Sequence, residues 1–217
     1  MRELPKNIFA TGIGTNVGKT IASAILVEAL KADYWKPVQS GNTEGTDSEV
    51  VKSLVSNPLS RIYKEAYSFK AATVPSYAAD LEGSIVETEY LASNTPKTSN
   101  HLIIEGAGGL MVHLRKDFMV IDLIRQMQWP VVLVSENYLG SINHTLLSIE
   151  ALKNRNIDIL GIIYNGERVE HMRELIYEAS GIIELGSINK TEYINKTFVQ
   201  QEAARLLSSL QKHFLIE

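Results

Sequence analysis

An α/β fold is predicted, a mostly parallel sheet flanked by helices in three layers, and three observations predict it. Short β-branched runs alternate along the chain with amphipathic helical stretches. Three of those runs, at 102–105, 131–134 and 159–164, are nearly continuous in apolar residues, as expected of strands covered on both faces. A glycine-rich stretch at 11–20 joins the first strand to the first helix, which is where such a sheet holds a phosphate.

The elements follow in order. Strands are expected at 7–11, 34–37, 101–105, 130–135 and 157–164, with a weaker one at 182–185. Helices are expected at 19–33, 47–55, 120–127, 141–154, 169–179 and 200–212. Ile142, Leu146, Ile149 and Leu152 repeat on one helical face and read as core, and the last helix reads as a packing helix. The polar stretches 40–46 and 92–100 are short, and no change of composition follows them, so they read as loops of a single domain spanning 1–217.

Composition narrows the function. The 217 residues, 45% hydrophobic and 21% charged, support a full core. Lys and Arg number 21 against 25 Asp and Glu, a net charge of −4, so no basic excess exists to bind nucleic acid or an anionic membrane. No apolar run approaches the ~18 residues of a spanning helix, and the mixed charges and Pro5 at the start suit neither a signal nor a transit peptide. Cysteine is absent, which removes disulfides, thiolate nucleophiles and Cys-type zinc sites; a cytoplasmic enzyme or switch is expected. His101, His113, His144, His171 and His213 are dispersed without ligand spacing.

The stretch Thr11-Gly12-Ile13-Gly14-Thr15-Asn16-Val17-Gly18-Lys19-Thr20 is the strongest signal in the chain. Glycines let backbone N–H groups turn around an anion, the helix N-terminus adds partial positive charge, Lys19 reaches terminal phosphates and the Thr20 hydroxyl suits magnesium. The fold is therefore expected to be like that of P-loop nucleoside triphosphate hydrolases. The spacing is a variant, because the usual first glycine position is Ile13 and the glycine lies one residue earlier, at Gly12. Dimeric ATPase switches carry a signature lysine five residues before the P-loop lysine; here that residue is Gly14.

Four ordered motifs resemble the dethiobiotin synthetases. The first-strand pattern of that family is close to T-G-T-D-T-x-V-G-K-T; here Thr15 is kept, while Ile13 and Gly14 replace a threonine and an aspartate. The others are Trp35-Lys36-Pro37-Val38-Gln39-Ser40-Gly41, Glu105-Gly106-Ala107-Gly108-Gly109 and Leu139-Gly140-Ser141-Ile142-Asn143-His144. Together they cover the chain from the first strand to about Asn165.

The resemblance implies a magnesium- and ATP-dependent ligase that makes dethiobiotin from 7,8-diaminopelargonic acid and carbon dioxide or bicarbonate. Lys36, expected to close the second strand, is then catalytic, with Lys19 and Thr15 assisting. Asn16, Val17, Gly18, Lys19, Thr20, Ile21, Gly106, Ala107, Gly108 and Asn165 would contact the nucleotide together with Asp47 and Glu105. Thr20, Asp47 and Glu105 would hold the metal. As a bare residue, Asp47 complements a helix dipole, whereas a charge ending the apolar strand at Glu105 is hard to explain by packing. The substrate would meet Thr15, Lys36, Ser40, Gly108 and Gly109, and also Leu139, Gly140 and Asn143 from a neighbouring subunit of a homodimer. Ser141 is expected to cap the helix it begins.

Family members usually follow the late strand with asparagine and a proline-containing loop, then a glycine-x-isoleucine-proline segment, both flanking adenine. Here Asn165 stays, but no proline follows, and the later segment is Leu185-Gly186-Ser187-Ile188-Asn189. Weak base selectivity is therefore expected, with GTP accepted beside ATP. Two other classes fit parts of the sequence. One is a nucleotide switch binding a protein partner, disfavoured by Gly14; the other is a glutamine-dependent amide ligase, which needs a cysteine the chain lacks.

Overall fold

The computed structural model describes residues 1–216. Its centre is a six-stranded, all-parallel sheet built from β2 (Asn7–Gly12), β3 (Asp33–Trp35), β6 (Leu102–Gly109), β9 (Val131–Glu136), β10 (Ile159–Asn165) and β11 (Glu184–Ile188). The spatial order is β11-β10-β9-β2-β6-β3. Side chains alternate across the strands, so Ile8 and Ala10 of β2 enter one core while Phe9 enters the other and stacks on Trp129 at 5.9 Å.

One face carries α1 (Lys19–Leu30), α2 (Asp47–Leu54) and α8 (Lys196–Leu210), with Ile25, Val51 and Leu206 in a shared core. The opposite face carries α5 (Val120–Met127), α6 (Ser141–Lys153) and α7 (Glu170–Ser180), packed through Ile124, Ile149 and Ile176. This is the expected three-layer α/β arrangement.

Several boundaries differ from expectation. The second expected strand, 34–37, ends early as β3 at Trp35. Beyond Lys36-Pro37, β4 (Val38–Ser40) leaves the main sheet to pair with β5 (Tyr67–Phe69). Proline has no N–H for a ladder, so Lys36 lies at the break and not in a strand. Strand β6 runs four residues beyond Glu105, because Gly109 still pairs with Gly12 after a register shift. Helix α1 ends at Leu30, where Lys31 turns left-handed at φ +49°. Helix α8 starts at Lys196, not 200, because the Asn195 side chain accepts from the Phe198 N–H and caps it.

The small elements α3 (Pro75–Leu81), α4 (Thr88–Ser93), the hairpin β7 (His113–Arg115) with β8 (Phe118–Met119), and the pair β1 (Arg2–Glu3) with β12 (Phe214–Leu215) were not expected. Each is too short to carry a period. The stretches expected as loops accordingly lose Ser40 to β4 and residues 92–93 to α4.

Candidate functional site

The phosphate loop sits between the carboxyl end of β2 and the first turn of α1. Helix α1 has no side-chain cap and no acidic residue in its first turn, so its leading N–H groups are free to meet an anion. Gly18 precedes the helix at φ +89°, and a Cβ there would lie 2.3 Å from Asn165 Nδ2. Gly12 explains the shifted spacing, since a Cβ at that position would come within 2.5 Å of Val17. Lys19 Nζ donates to the Gly14 carbonyl at 2.8 Å. Burial pushes the Lys19 pKa down to about 8, helped by the charge of Lys36 and opposed by Glu105 and Asp47.

Beside the loop, three oxygens and an ammonium converge. The Thr20 hydroxyl lies 2.8 Å from Asp47 Oδ1 and 2.9 Å from Glu105 Oε1. Lys36 Nζ lies 2.5 Å from Asp47 Oδ2 and 3.2 Å from Glu105 Oε1. Glu105 is 1% exposed, and Tyr34 Oη donates to its other oxygen at 3.0 Å, so this buried carboxylate is fully partnered. Burial works against the charge on Lys36, but Glu105 and Asp47 outweigh it and raise its pKa. Burial likewise disfavours ionised Asp47, yet Lys36 and Thr20 hold its pKa below the usual carboxylate range.

Local sequence explains how Asp47 is aimed. Thr46 caps α2, its side chain accepting from the Glu49 N–H while Glu49 reaches back to the Thr46 N–H. The Asp47 N–H is held by Gln39 Oε1 at 3.2 Å. One hydroxyl and two carboxylates are the oxygen donors a hard cation takes. Magnesium is commonly bound through one or two carboxylates together with substrate phosphates and water. Among the described residues no group of three or more His, Cys, Asp or Glu side chains could hold a metal ion by itself.

These groups line one cavity of about 890 Å³ together with Thr15, Asn16, Gly18, Ile21, Ser40, Ala107 and Gly108. Ser40 Oγ is enclosed and has no partner among the described residues. The structure does not bring every expected site residue there. Val17 is buried beneath the loop, and Gly106 packs on the Phe9 ring, where a Cβ would come within 2.8 Å. Gly109 lines a neighbouring cavity that also includes Thr15 and Met111. Asn165 stands behind the loop, donating to the Val17 carbonyl at 3.2 Å.

Leu139, Gly140 and Asn143 lie outside the cavity altogether, and Leu139 is fully exposed. Ser141 does not cap α6: Gly140 occupies the cap position at φ +99°, and the buried Ser141 hydroxyl accepts from the Tyr138 N–H and meets Met172 Sδ. Sequence reasoning missed Tyr34, Gln39 and the wall formed by residues 72–75. Gln39 belongs to the Trp35–Gly41 motif, and Pro75 at the first turn of α3 is a legible helix start.

Comparison with known proteins places this cavity in a lineage. The family described as AAA domain matches residues 6–197. The ATP-dependent dethiobiotin synthetase BioD of Christiangramia forsetii is 45% identical over 207 residues, covering 95% of this chain and 99% of that protein. Its counterpart from Cytophaga hutchinsonii is 46% identical over 205 residues, 94% of this chain and 98% of that protein. The chain belongs to the dethiobiotin synthetase family. Of the four motifs that resemble the dethiobiotin synthetases, three contribute to the main cavity, and only the Leu139 segment stands apart. More distantly, a plasmid partition protein from Borrelia burgdorferi shares the fold with a TM-score of 0.59 at 13% identity, over 97% of this chain and 99% of that one. The cell division ATPase MinD of Pyrococcus furiosus does so with a TM-score of 0.55 at 14% identity, over 96% and 99%. At those identities the likeness is one of fold alone.

Proposed function

We propose that the chain is an ATP-dependent dethiobiotin synthetase that converts 7,8-diaminopelargonic acid, carbon dioxide and ATP into dethiobiotin, ADP and phosphate. The observation that carries this reading is the meeting, in one cavity of about 890 Å³, of a phosphate loop, two buried lysines and a Ser40 hydroxyl with no partner among the described residues. The P-loop amides and Lys19 grip the triphosphate. Magnesium bound by Thr20, Asp47 and Glu105 would neutralise phosphate charge.

One substrate amine adds to carbon dioxide and loses a proton, giving a carbamate. A carbamate oxygen takes the γ-phosphoryl group as the bond to ADP breaks, and the second amine then attacks the carbamoyl carbon and expels phosphate. Lys36 stabilises the negative charge that gathers on the transferring group, which is the main demand of phosphoryl transfer. Thr15 and Gly108 lie on the same wall, while Ser40 donates to the substrate. Gly109, at the neighbouring cavity, extends the substrate wall.

Leu139, Gly140 and Asn143 reach a substrate only from a second copy of the chain, and the full exposure of Leu139 supports a homodimer with shared sites. No helix of the described residues is long and apolar enough to cross a membrane. A cytoplasmic setting supplies the ATP this reading requires. The test is phosphate release in bicarbonate buffer with and without the diamine, with dethiobiotin measured as product. A synthetase is triggered by the diamine; release at the same rate without it would point to a nucleotide switch.

A further inference from the structure

Beyond the phosphate loop lies a second set of oriented polar groups. Lys36, Asp47 and Glu105 gather on the side of β6 and β3. On the other side of the phosphate loop, across β9, stand the carboxyl ends of β10 and β11, where the nucleoside end of a triphosphate would lie if its terminal phosphate met those three side chains. A crevice of about 320 Å³ opens there, lined by Gly166, Gly186, Ser187, Asn189 and Arg205 among others. It lies between β11 and α8, beside the turn that follows β10.

Two side-chain amides stand at that end of the sheet. Asn165 ends β10 and donates through Nδ2 to the Val17 carbonyl at 3.2 Å. Asn165 pairs with Ile188 across the ladder, so Asn189 is the next residue along. Asn189 Nδ2 donates to Glu202 Oε1 at 3.0 Å. A carbonyl and a carboxylate only accept, so each amide is fixed with its amino end towards the protein and its oxygen left over.

Glu202 is an unusual residue to find on α8. It is 4% exposed, its Oε1 also accepts from Arg205 at 2.8 Å, and its Oε2 is enclosed with no partner among the described residues. A carboxylate so placed costs desolvation that an apolar side chain would avoid. Packing alone gives no reason for it.

We propose that Glu202 is a positioning residue for the nucleotide base: by holding the amino end of Asn189 it presents Asn189 Oδ1 to the crevice, where this acceptor meets position 6 of the purine and selects a 6-amino group over a 6-oxo group. The inference rests on the ATP-dependent reading above and replaces the expectation of weak base selectivity. Adenine offers N–H donors to the oriented oxygen, whereas guanine O6 sets two acceptors face to face. An Asn189 free to rotate would serve both bases equally. Glu202 removes that freedom.

The test compares ATP and GTP, each with magnesium, as displacers of a bound fluorescent ATP analogue and as substrates for diamine-triggered phosphate release. The wild-type protein should prefer ATP roughly 30-fold, the effect of one hydrogen bond lost with its acceptor left unpaired. Asn189→Ala should lower the ATP:GTP ratio about tenfold. Glu202→Gln should do the same, because a glutamine amide can turn its own donor to Asn189 and let that side chain flip. The loss should fall on ATP half-saturation and on the ratio more than on turnover. A wild-type preference below about threefold, or a ratio within about twofold of wild type in both variants, would overturn the proposal. If Glu202→Gln does not fold, Asn189→Ala decides, because Asn189 is an exposed residue. Base preference without any diamine-triggered release would instead sink the synthetase reading and leave this one standing.

Discussion

Replacing Lys36 with glutamine removes the only ammonium placed between Asp47 and Glu105 among the described residues, and its effects separate into two measurable parts. The first is kinetic. One preorganised charge lost at the transferring phosphoryl group typically costs roughly 2.7–4 kcal/mol, or ~100- to 1000-fold in turnover. The second concerns the resting protein. At 3.2 Å from Glu105, with an effective dielectric near 20, the direct attraction is about 5 kcal/mol before the desolvation that offsets much of it. Asp47 is 31% exposed and adds less.

Removing one partner from a buried pair costs about 3–5 kcal/mol, and a glutamine that keeps one hydrogen bond should bring the loss nearer 2–4 kcal/mol. The variant also leaves two carboxylates facing each other without a cation. Magnesium should therefore raise the melting temperature of Lys36→Gln more than that of the wild type, since a ligand stabilises in proportion to how tightly the folded state takes it. Thermal melts in chelator and in millimolar magnesium, run beside dethiobiotin formation, give both numbers. Turnover above half of wild type, or equal magnesium responses in the two proteins, would refute the reasoning.

Glu105→Gln and Asp47→Asn should each move the magnesium titration of activity to higher concentration, an amide being a poorer ligand for a hard cation; unmoved curves would make these carboxylates structural. Asn143→Ala should raise KM for the diamine more than for ATP, and light scattering should find a dimer, while a fully active monomer would exclude sites shared between subunits. Asp33 is fully buried and accepts from the Arg61 N–H, Asn100 Nδ2 and Tyr63 Oη at 2.8, 3.0 and 3.2 Å. Burial raises its pKa, but those bonds and one from Thr98 outweigh it and hold the value low. Its contribution is therefore complete above the unfolded value near about 3.9 and disappears as pH falls through the lower folded value. Asp33→Asn should cost about 1–3 kcal/mol at neutral pH, because neutral bonds replace charge-assisted ones. Urea midpoints should also show a shallower acid dependence below pH ~4 in that variant.

How far the sequence spoke depended on length and period. The strands of the main sheet and its six principal helices were legible where a run or a repeat of several residues carries them; three-residue β3 was expected to reach Pro37, and β11 was expected to begin two residues too early. The pairs β4 with β5 and β7 with β8 have two or three residues per strand, where no alternation can be read. Glu105, Asp47, Thr20 and Lys36 were legible as members of motifs, yet their convergence was not. Three of their four contacts join residues 27 or more positions apart. The base end was legible only as a missing proline, because the contact of Asn189 with Glu202, 13 residues on and in another element, leaves no mark in the sequence. A glutamate inside an amphipathic helix reads as a solvated face until its burial is known.

The break at Lys36-Pro37 separates two kinds of work along the chain. Before it, β2, α1 and β3 build the half that grips phosphate. After it the backbone leaves the main ladder at β4, runs through α2, β5, α3 and α4, and rejoins only at β6. That excursion supplies Ser40 and residues 72–75, the wall opposite the P-loop, while Lys36 stands at its doorstep. A different small molecule could thus be accommodated by lengthening or reshaping the part of the excursion after α2, which carries Asp47, with the six-stranded sheet and the triphosphate's seat left untouched. The lysine at the junction would serve whatever acceptor the new wall delivered.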